Sequence, residues 1–187
     1  MLLPKMSGVM RMYEKLSSLK KRLQQMKQNR TTRQNGQTFH FSPFSKKQKQ
    51  VLTWWCKESP VHDKDGIIAD GAIRSGKTVS MSLSFVMWAM SGFAGQNFAM
   101  CGKTIGSFRR NVLFWLKLML RSRGYSITDH RADNLVVVRK NSIENYFYIF
   151  GGKDERSQDL IQGITLAGVF FDEVALMPGS FVNQATG

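Results

Sequence analysis

Hydrophobic residues recur along this chain with two different periods, and their alternation predicts an α/β fold. Short apolar runs predict buried strands at residues 67–69, 97–101 and 167–171, and two residue runs predict the arms of a hairpin, 135–139 and 143–150. Longer apolar segments predict helices at 79–90 and 108–123, the second ending before Gly124. The order of these elements predicts a three-layer α/β sandwich with a mainly parallel central sheet, in which the strand at 67–69 lies centrally.

The first 38 residues have a different pattern. Six apolar residues at three- and four-residue steps predict one stripe on a short helix, namely Val9, Met12, Leu16, Leu19, Leu23 and Met26. A polar linker follows up to residue 38, so we divide the chain into 1–38, a basic amphipathic helix with its linker, and a domain over 39–187. The helix docks either on a partner or on the body of the protein.

Charge adds a partner class to this picture. The chain has a formal net charge of +14, and its first 36 residues hold nine Lys and Arg against one acid, Glu14. Such an excess favours a polyanion such as double-stranded DNA, although a solvated basic arm has the same composition. The 187 residues, 42% of them hydrophobic, suffice for one globular domain, and no apolar run reaches the length of a membrane span.

A phosphate-binding motif lies between the strand at 67–69 and the helix at 79–90. The sequence fits G-x-x-x-x-G-K-[ST] through Gly71, Ala72, Ile73, Arg74, Ser75, Gly76, Lys77 and Thr78. In such a loop backbone N–H groups surround a polyphosphate, the lysine reaches its β- and γ-phosphates, and the threonine hydroxyl binds Mg²⁺. A second Gly-Lys-Thr at 102–104 is not a P-loop, because Asn97 stands where the first glycine is required.

Two further features complete a nucleotide site. Ser45 is a plausible N-cap of a helix at 45–55, and Gln48 ahead of the P-loop is the first candidate to pair with adenine through its amide, with Gln50 as the alternative. Asp172 and Glu173 follow the apolar strand at 168–171, at the strand edge where α/β proteins bind ligands. We expect Asp172 to bind Mg²⁺ and Glu173 to act as the general base in hydrolysis.

These residues predict an ATPase of the mechanical-motor type. The catalytic glutamate stands beside the metal-binding aspartate, and at least one strand separates the P-loop from them. GTPases usually carry an N-K-x-D element, which this sequence lacks, so ATP is the predicted nucleotide.

Arg109 and Arg110 fall in the first turn of the helix predicted at 108–123. Cations are unfavourable at a helix N-terminus, so the pair suggests an anionic neighbour such as DNA or nucleotide. A solvated pair is the equally plausible alternative.

The ordered motifs of residues 39–187 resemble the large terminase subunit of tailed bacteriophages. The resemblance is carried by Phe44 and Gln48, the P-loop at 71–78, residues 100–104 and the acidic strand with its continuation at 168–178. It implies an ATP- and Mg²⁺-dependent motor that forms a ring on the procapsid portal protein, works with a small terminase subunit and packages viral DNA in the host cytoplasm. It also implies that Arg74 contacts the γ-phosphate, although many members place this arginine where Ile73 stands.

The family continues into a coupling motif and a nuclease domain, which we do not find before Gly187. We therefore expect no nuclease activity and an ATPase portion that is incomplete at its C-terminus. Two alternatives stay open: a helicase-like translocase, which also combines a Gln motif, a P-loop and a D-E strand, and a nucleotide- or DNA-binding module without turnover.

Overall fold

The computed structural model describes residues 43–72, 74–153 and 161–186. Contacts divide the chain after Pro43, and the unit that starts at Phe44 carries the fold. The basic helix predicted in the first 38 residues, its linker and the domain boundary at residue 39 lie outside the described residues, as does Ile73 of the P-loop.

Two helices surround the P-loop in sequence. Helix α1 spans Lys46–Leu52 and begins at a capping box, in which the Ser45 hydroxyl accepts from the Gln48 N–H and the Gln48 side chain accepts from the Ser45 N–H. Helix α2 spans Lys77–Gly92 and begins directly after Gly76. Because apolar and small residues occupy most of its surface, α2 is buried along seven of its positions.

Five strands form one mixed sheet in the order β2-β3-β4-β1-β5. Their bounds are β1 Asn97–Gly102, β2 Ser126–His130, β3 Leu135–Lys140, β4 Ile143–Gly151 and β5 Gly168–Phe171. Strand β1 pairs in parallel with β4 and β5, whereas β3 pairs antiparallel with β2 and β4. The predicted hairpin at 135–150 is present, and Asn141 turns it in the left-handed conformation with φ 55°.

Apolar side chains cover both faces of this sheet. Phe98, Met100 and Phe170 pack with α2 on one face, in a cluster that extends to the helices after β1. Their neighbours in sequence, Ala99 and Cys101, point to the other face and pack with Phe181 of helix α5, which spans Gly179–Thr186. Helices therefore lie on both sides of the sheet, which confirms the predicted α/β sandwich.

The strand predicted at 67–69 is wrong. In the described part of the chain these residues belong to no strand, and Ile68 is 92% exposed. A strand needs a neighbour for its backbone N–H and C=O groups, and β5 pairs with β1 alone among the described strands. The described sheet therefore has no central P-loop strand, and it is less parallel than expected, since two of its four strand pairs are antiparallel.

The helix after β1 begins three residues earlier than predicted. Thr104 caps a short helix α3, Ile105–Phe108, which continues through a π-helical stretch, Arg109–Leu113, into helix α4, Phe114–Ser122. Gly124 follows with φ 82°, as expected of a glycine that ends a helix. None of the described helices is long and apolar enough to span a membrane.

This earlier start changes the interpretation of the two arginines. Arg109 lies beyond the first helical turn, and its anionic neighbour is Asp129 of β2, with Nη1 and Oδ1 2.8 Å apart. Lys117 of α4 donates to the other carboxylate oxygen at 2.7 Å. Burial raises the pKa of Asp129, but the hydrogen bonds and charges of Arg109 and Lys117 outweigh it, so the pKa lies below its ordinary value.

We expect Asp129→Asn to lower the free energy of unfolding by about 2 kcal/mol, because two cations lose a carboxylate shielded from water. Folding lowers the pKa of Asp129, so its contribution is complete above the ordinary value of 3.8 and is lost as the pH falls from there through the lower folded value. Urea unfolding at pH 7 and pH 3 measures both effects. Asp133→Asn, at an exposed position in the neighbouring turn, is the matched control. Equal stability of the two variants at pH 7 would contradict the prediction.

Candidate active site

The P-loop forms a turn whose backbone leaves the usual conformations at three glycine or arginine positions. Gly71 has φ 150° and Gly76 has φ 78°, which glycine tolerates, but Arg74 also adopts a left-handed conformation, with φ 63°. The Ser75 N–H donates to the Ala72 carbonyl at 3.3 Å and closes the turn. The loop is exposed and ends at the N-terminus of α2, where free N–H groups and the helix dipole favour an anion.

Lys77 is the first residue of α2, and its side chain folds back over the loop. Its Nζ donates to the carbonyl oxygens of Gly71 and Ala72, the second at 2.9 Å. The ammonium group therefore lies at the mouth of the loop, held by two backbone oxygens. A phosphate in the loop would meet this positive charge together with the N–H groups of the helix N-terminus.

The acidic pair lies at the end of β5, next to the loop. The Asp172 N–H donates to the Cys101 carbonyl at 2.8 Å and extends the pairing of β5 with β1. Glu173 then adopts a left-handed conformation with φ 59° and ψ 48°, which turns the chain into a 3₁₀ helix at Val174–Leu176. A non-glycine residue in this conformation costs about 1 kcal/mol or more, and such strain is concentrated at functional sites.

One hydrogen bond joins the two motifs. The Thr78 hydroxyl donates to Asp172 Oδ1 at 2.8 Å, across 94 positions of sequence. Burial raises the pKa of Asp172, the hydrogen bond from Thr78 lowers it, and the charge of Glu173 raises it, with a net increase. The structure thus brings together the two side chains that the sequence predicted as Mg²⁺ ligands.

A hydroxyl and a carboxylate at hydrogen-bonding distance fit Mg²⁺ chemically. Mg²⁺ prefers oxygen ligands and usually takes one or two from the protein, the others being phosphate oxygens and water. No group of three or more His, Cys, Asp or Glu side chains that could hold a metal occurs in the described ranges. Thr78 and Asp172 are therefore a pair suited to a metal that arrives with a nucleotide.

Gln48 contacts the loop directly. Its Nε2 donates to the Ser75 carbonyl at 2.9 Å, while its Oε1 accepts from the Ser45 N–H at 2.9 Å. Gln50 is exposed and lies about 200° further around α1. The sequence indicated a cap at Ser45, but the bond to the loop was missed; the S-x-x-Q spacing of the capping box was the available signal that this side chain had a backbone partner.

The chain is similar to solved structures of one protein, the large terminase from a thermophilic bacteriophage. One crystal form of that terminase matches with 70% identity and a TM-score of 0.76, over 78% of this chain and 36% of that chain. The same terminase in complex with ADP matches with 69% identity and a TM-score of 0.73, over 77% and 35%. Its complex with ATP-γ-S matches with 66% identity and a TM-score of 0.71, over 77% and 34%.

The chain therefore spans about a third of the length of these solved proteins. Comparison with protein-family models and with curated proteins finds no match.

Proposed function

Since this chain belongs to the large terminase family of bacteriophages, we propose that it binds and hydrolyses ATP as the ATPase part of a DNA-packaging motor. Two of the similar structures are complexes with ADP and ATP-γ-S, which supports a nucleotide site in this chain. The P-loop and the acidic strand end are the residues on which the proposal depends.

The observation that carries this proposal is the hydrogen bond between Thr78 and Asp172. The P-loop motif and the acidic motif are far apart in sequence, yet their predicted metal ligands are 2.8 Å apart. An acidic pair at an ordinary strand end would have no reason to contact a P-loop threonine. This contact therefore favours one site that handles phosphate and metal together.

Each residue of the site has a role in hydrolysis. Lys77 holds the β- and γ-phosphates, and Thr78 and Asp172 hold Mg²⁺, which neutralises phosphate charge when bound. Glu173 orients a water molecule and accepts its proton as it attacks the γ-phosphate. The exposed Glu173 side chain is adjacent to Asp172, so base and metal ligand leave the strand end together.

The remaining loop residues bind the nucleotide. The backbone N–H groups of Gly71 to Thr78, with Ala72, Ile73 and Ser75 between the fixed motif positions, surround the phosphates. Arg74 is exposed in its left-handed conformation, which suits a contact with the γ-phosphate. Gln48 recognises adenine through its amide, because it already lies against the loop, with Gln50 as the less favoured candidate.

The partners follow from the family. We propose that the protein acts on double-stranded viral DNA in the host cytoplasm, in a ring on the procapsid portal protein and together with a small terminase subunit. The excess of Lys and Arg in residues 1–36 supports contact with DNA. No nuclease step is assigned to these residues.

A Thr78→Ala and Thr78→Ser pair tests the proposed metal site. Serine keeps the hydroxyl, whereas alanine removes it, so we expect Thr78→Ala to weaken Mg²⁺-dependent ATP binding about tenfold and Thr78→Ser to stay within about twofold of wild type. Calorimetric titration with ATP, with and without Mg²⁺, measures the difference. Thr53→Ala removes a hydroxyl that bonds to the Lys49 carbonyl, away from the loop, and serves as the control. Wild-type Mg²⁺ dependence in Thr78→Ala would refute the proposed role.

A further inference from the structure

We propose that Gln48 is a positioning residue that holds the P-loop in its binding conformation, in addition to any contact with the base. Its Nε2 donates to the Ser75 carbonyl at 2.9 Å, 27 positions along the chain. This role rests on the proposed ATP site, because it concerns the loop that receives the phosphates.

The loop needs an external support at this point. Arg74 precedes Ser75 in a left-handed conformation with φ 63°, which disfavours the turn relative to more relaxed backbones. Within the turn, the 3.3 Å bond from the Ser75 N–H to the Ala72 carbonyl is long. The Gln48 amide binds the carbonyl of the same residue and so fixes the peptide group between Ser75 and Gly76.

Gln48 also packs closely on Gly76. A Cβ atom at Gly76 would lie 2.4 Å from Gln48 Nε2, closer than any real contact. Gly76 has φ 78° and is the N-cap of α2, so the amide covers the junction at which the loop becomes a helix. The two contacts, with Ser75 and with Gly76, fix the loop immediately before Lys77.

The support is itself rigid. The capping box binds Gln48 Oε1 to the first turn of α1, and Leu52 at the other end of α1 is buried in the core. Ser84 of α2 donates to the carbonyls of Val51 and Leu52 at 2.9 and 3.2 Å. Helix α1 is therefore attached to α2 at its C-terminal end and to the loop through Gln48.

Holding the loop leaves capacity for a base. A glutamine amide has two N–H donors and an oxygen with two acceptor sites, of which the protein uses one of each. One donor and one acceptor site are the groups that pair with adenine. Base recognition and loop geometry would then depend on the same side chain, so a wrong base would disturb the loop that binds its phosphates.

Hydrogen exchange in the nucleotide-free, full-length chain tests the loop contact directly. Gln48→Glu keeps an acceptor at the third helical position of the capping box but replaces the donor to Ser75 by an oxygen. We expect exchange in a peptide covering residues 70–79 to be about threefold to tenfold faster in Gln48→Glu than in wild type. Ser45→Ala removes the hydroxyl half of the cap and keeps the amide, and its loop should exchange as in wild type.

Binding of ATP and of inorganic tripolyphosphate, each with Mg²⁺, separates the two roles. We expect Gln48→Met to weaken both ligands about threefold to tenfold, because the loop holds the phosphates of both. Thermal unfolding of each variant verifies that the fold persists.

Wild-type loop exchange in Gln48→Glu would overturn the positioning role, as would weakened binding of ATP alone in Gln48→Met. A wild-type chain that bound neither ligand would count against the ATP site, and the exchange comparison would still decide whether Gln48 holds the loop.

Discussion

Glu173→Gln is expected to slow ATP hydrolysis by about 10²–10⁴-fold while leaving ATP binding nearly unchanged, since an amide cannot accept the proton of the attacking water. The substitution keeps the size of the side chain, and its backbone conformation, φ 59° and ψ 48°, is as accessible to glutamine as to glutamate. Single-turnover hydrolysis of ATP, with binding measured separately, distinguishes the loss of chemistry from a loss of affinity.

Glu58→Gln provides a matched control, because Glu58 is exposed and outside the site. It should hydrolyse ATP at the wild-type rate. If Glu173→Gln hydrolysed ATP as fast as Glu58→Gln, Glu173 would not be the general base. A wild-type chain that bound ATP without turnover would instead favour the nucleotide-binding module, the alternative left open by the sequence.

Lys77→Ala is expected to weaken ATP binding roughly a hundredfold, because it removes the only side-chain cation that the structure shows bonded inside the described loop. The same change breaks the bonds from Nζ to the carbonyls of Gly71 and Ala72. The loop should therefore also become more mobile in the absence of nucleotide. Equilibrium titration with a fluorescent ATP analogue measures the affinity.

The second Gly-Lys-Thr of the chain supplies the control for this lysine. Lys103 precedes Thr104, the N-cap of α3, and is exposed. Lys103→Ala removes the same charge from a similar sequence, so it should bind ATP as wild type does. Comparable losses in both variants would show that general electrostatic attraction, and not the P-loop lysine, determines the affinity.

The motifs were readable from the sequence because each depends on local chemistry. The glycines of the P-loop are required where φ is positive, and α2, β1, β5 and the hairpin have clear apolar periods. The family was recognised from the order of these motifs, and the similar large terminase structures confirm it. The proximity of Thr78 and Asp172 followed from the rule that ligands bind at the carboxyl ends of parallel strands.

Other features depend on partners that a sequence does not show. An apolar run at 67–69 becomes a strand only if another strand pairs with it, and Ile68 is exposed instead. Strand β2 escaped prediction because its residues alternate between intermediate and exposed positions, with Ile127 as its one apolar side chain. Without β2, the partner of Arg109 was also missed, since Asp129 lies on that strand.

The positioning contact of Gln48 was hidden for a related reason. A glutamine side chain can bond to its own helix cap, to a ligand or to a distant carbonyl, and its position in sequence does not distinguish them. Only the fold, which packs α1 against α2, brings Nε2 to the carbonyl of Ser75.

The π-helical stretch at Arg109–Leu113 fixes the number of residues between β1 and β2. Shortening it by one residue would restore an ordinary α-helix locally, yet every later side chain of α4 would turn by about 100° relative to α3. Lys117 would leave Asp129, and the buried face of Leu116, Met119 and Leu120 would turn away from the sheet. Deletions are therefore excluded in a region where substitutions on the exposed side, such as at Phe114, are tolerated.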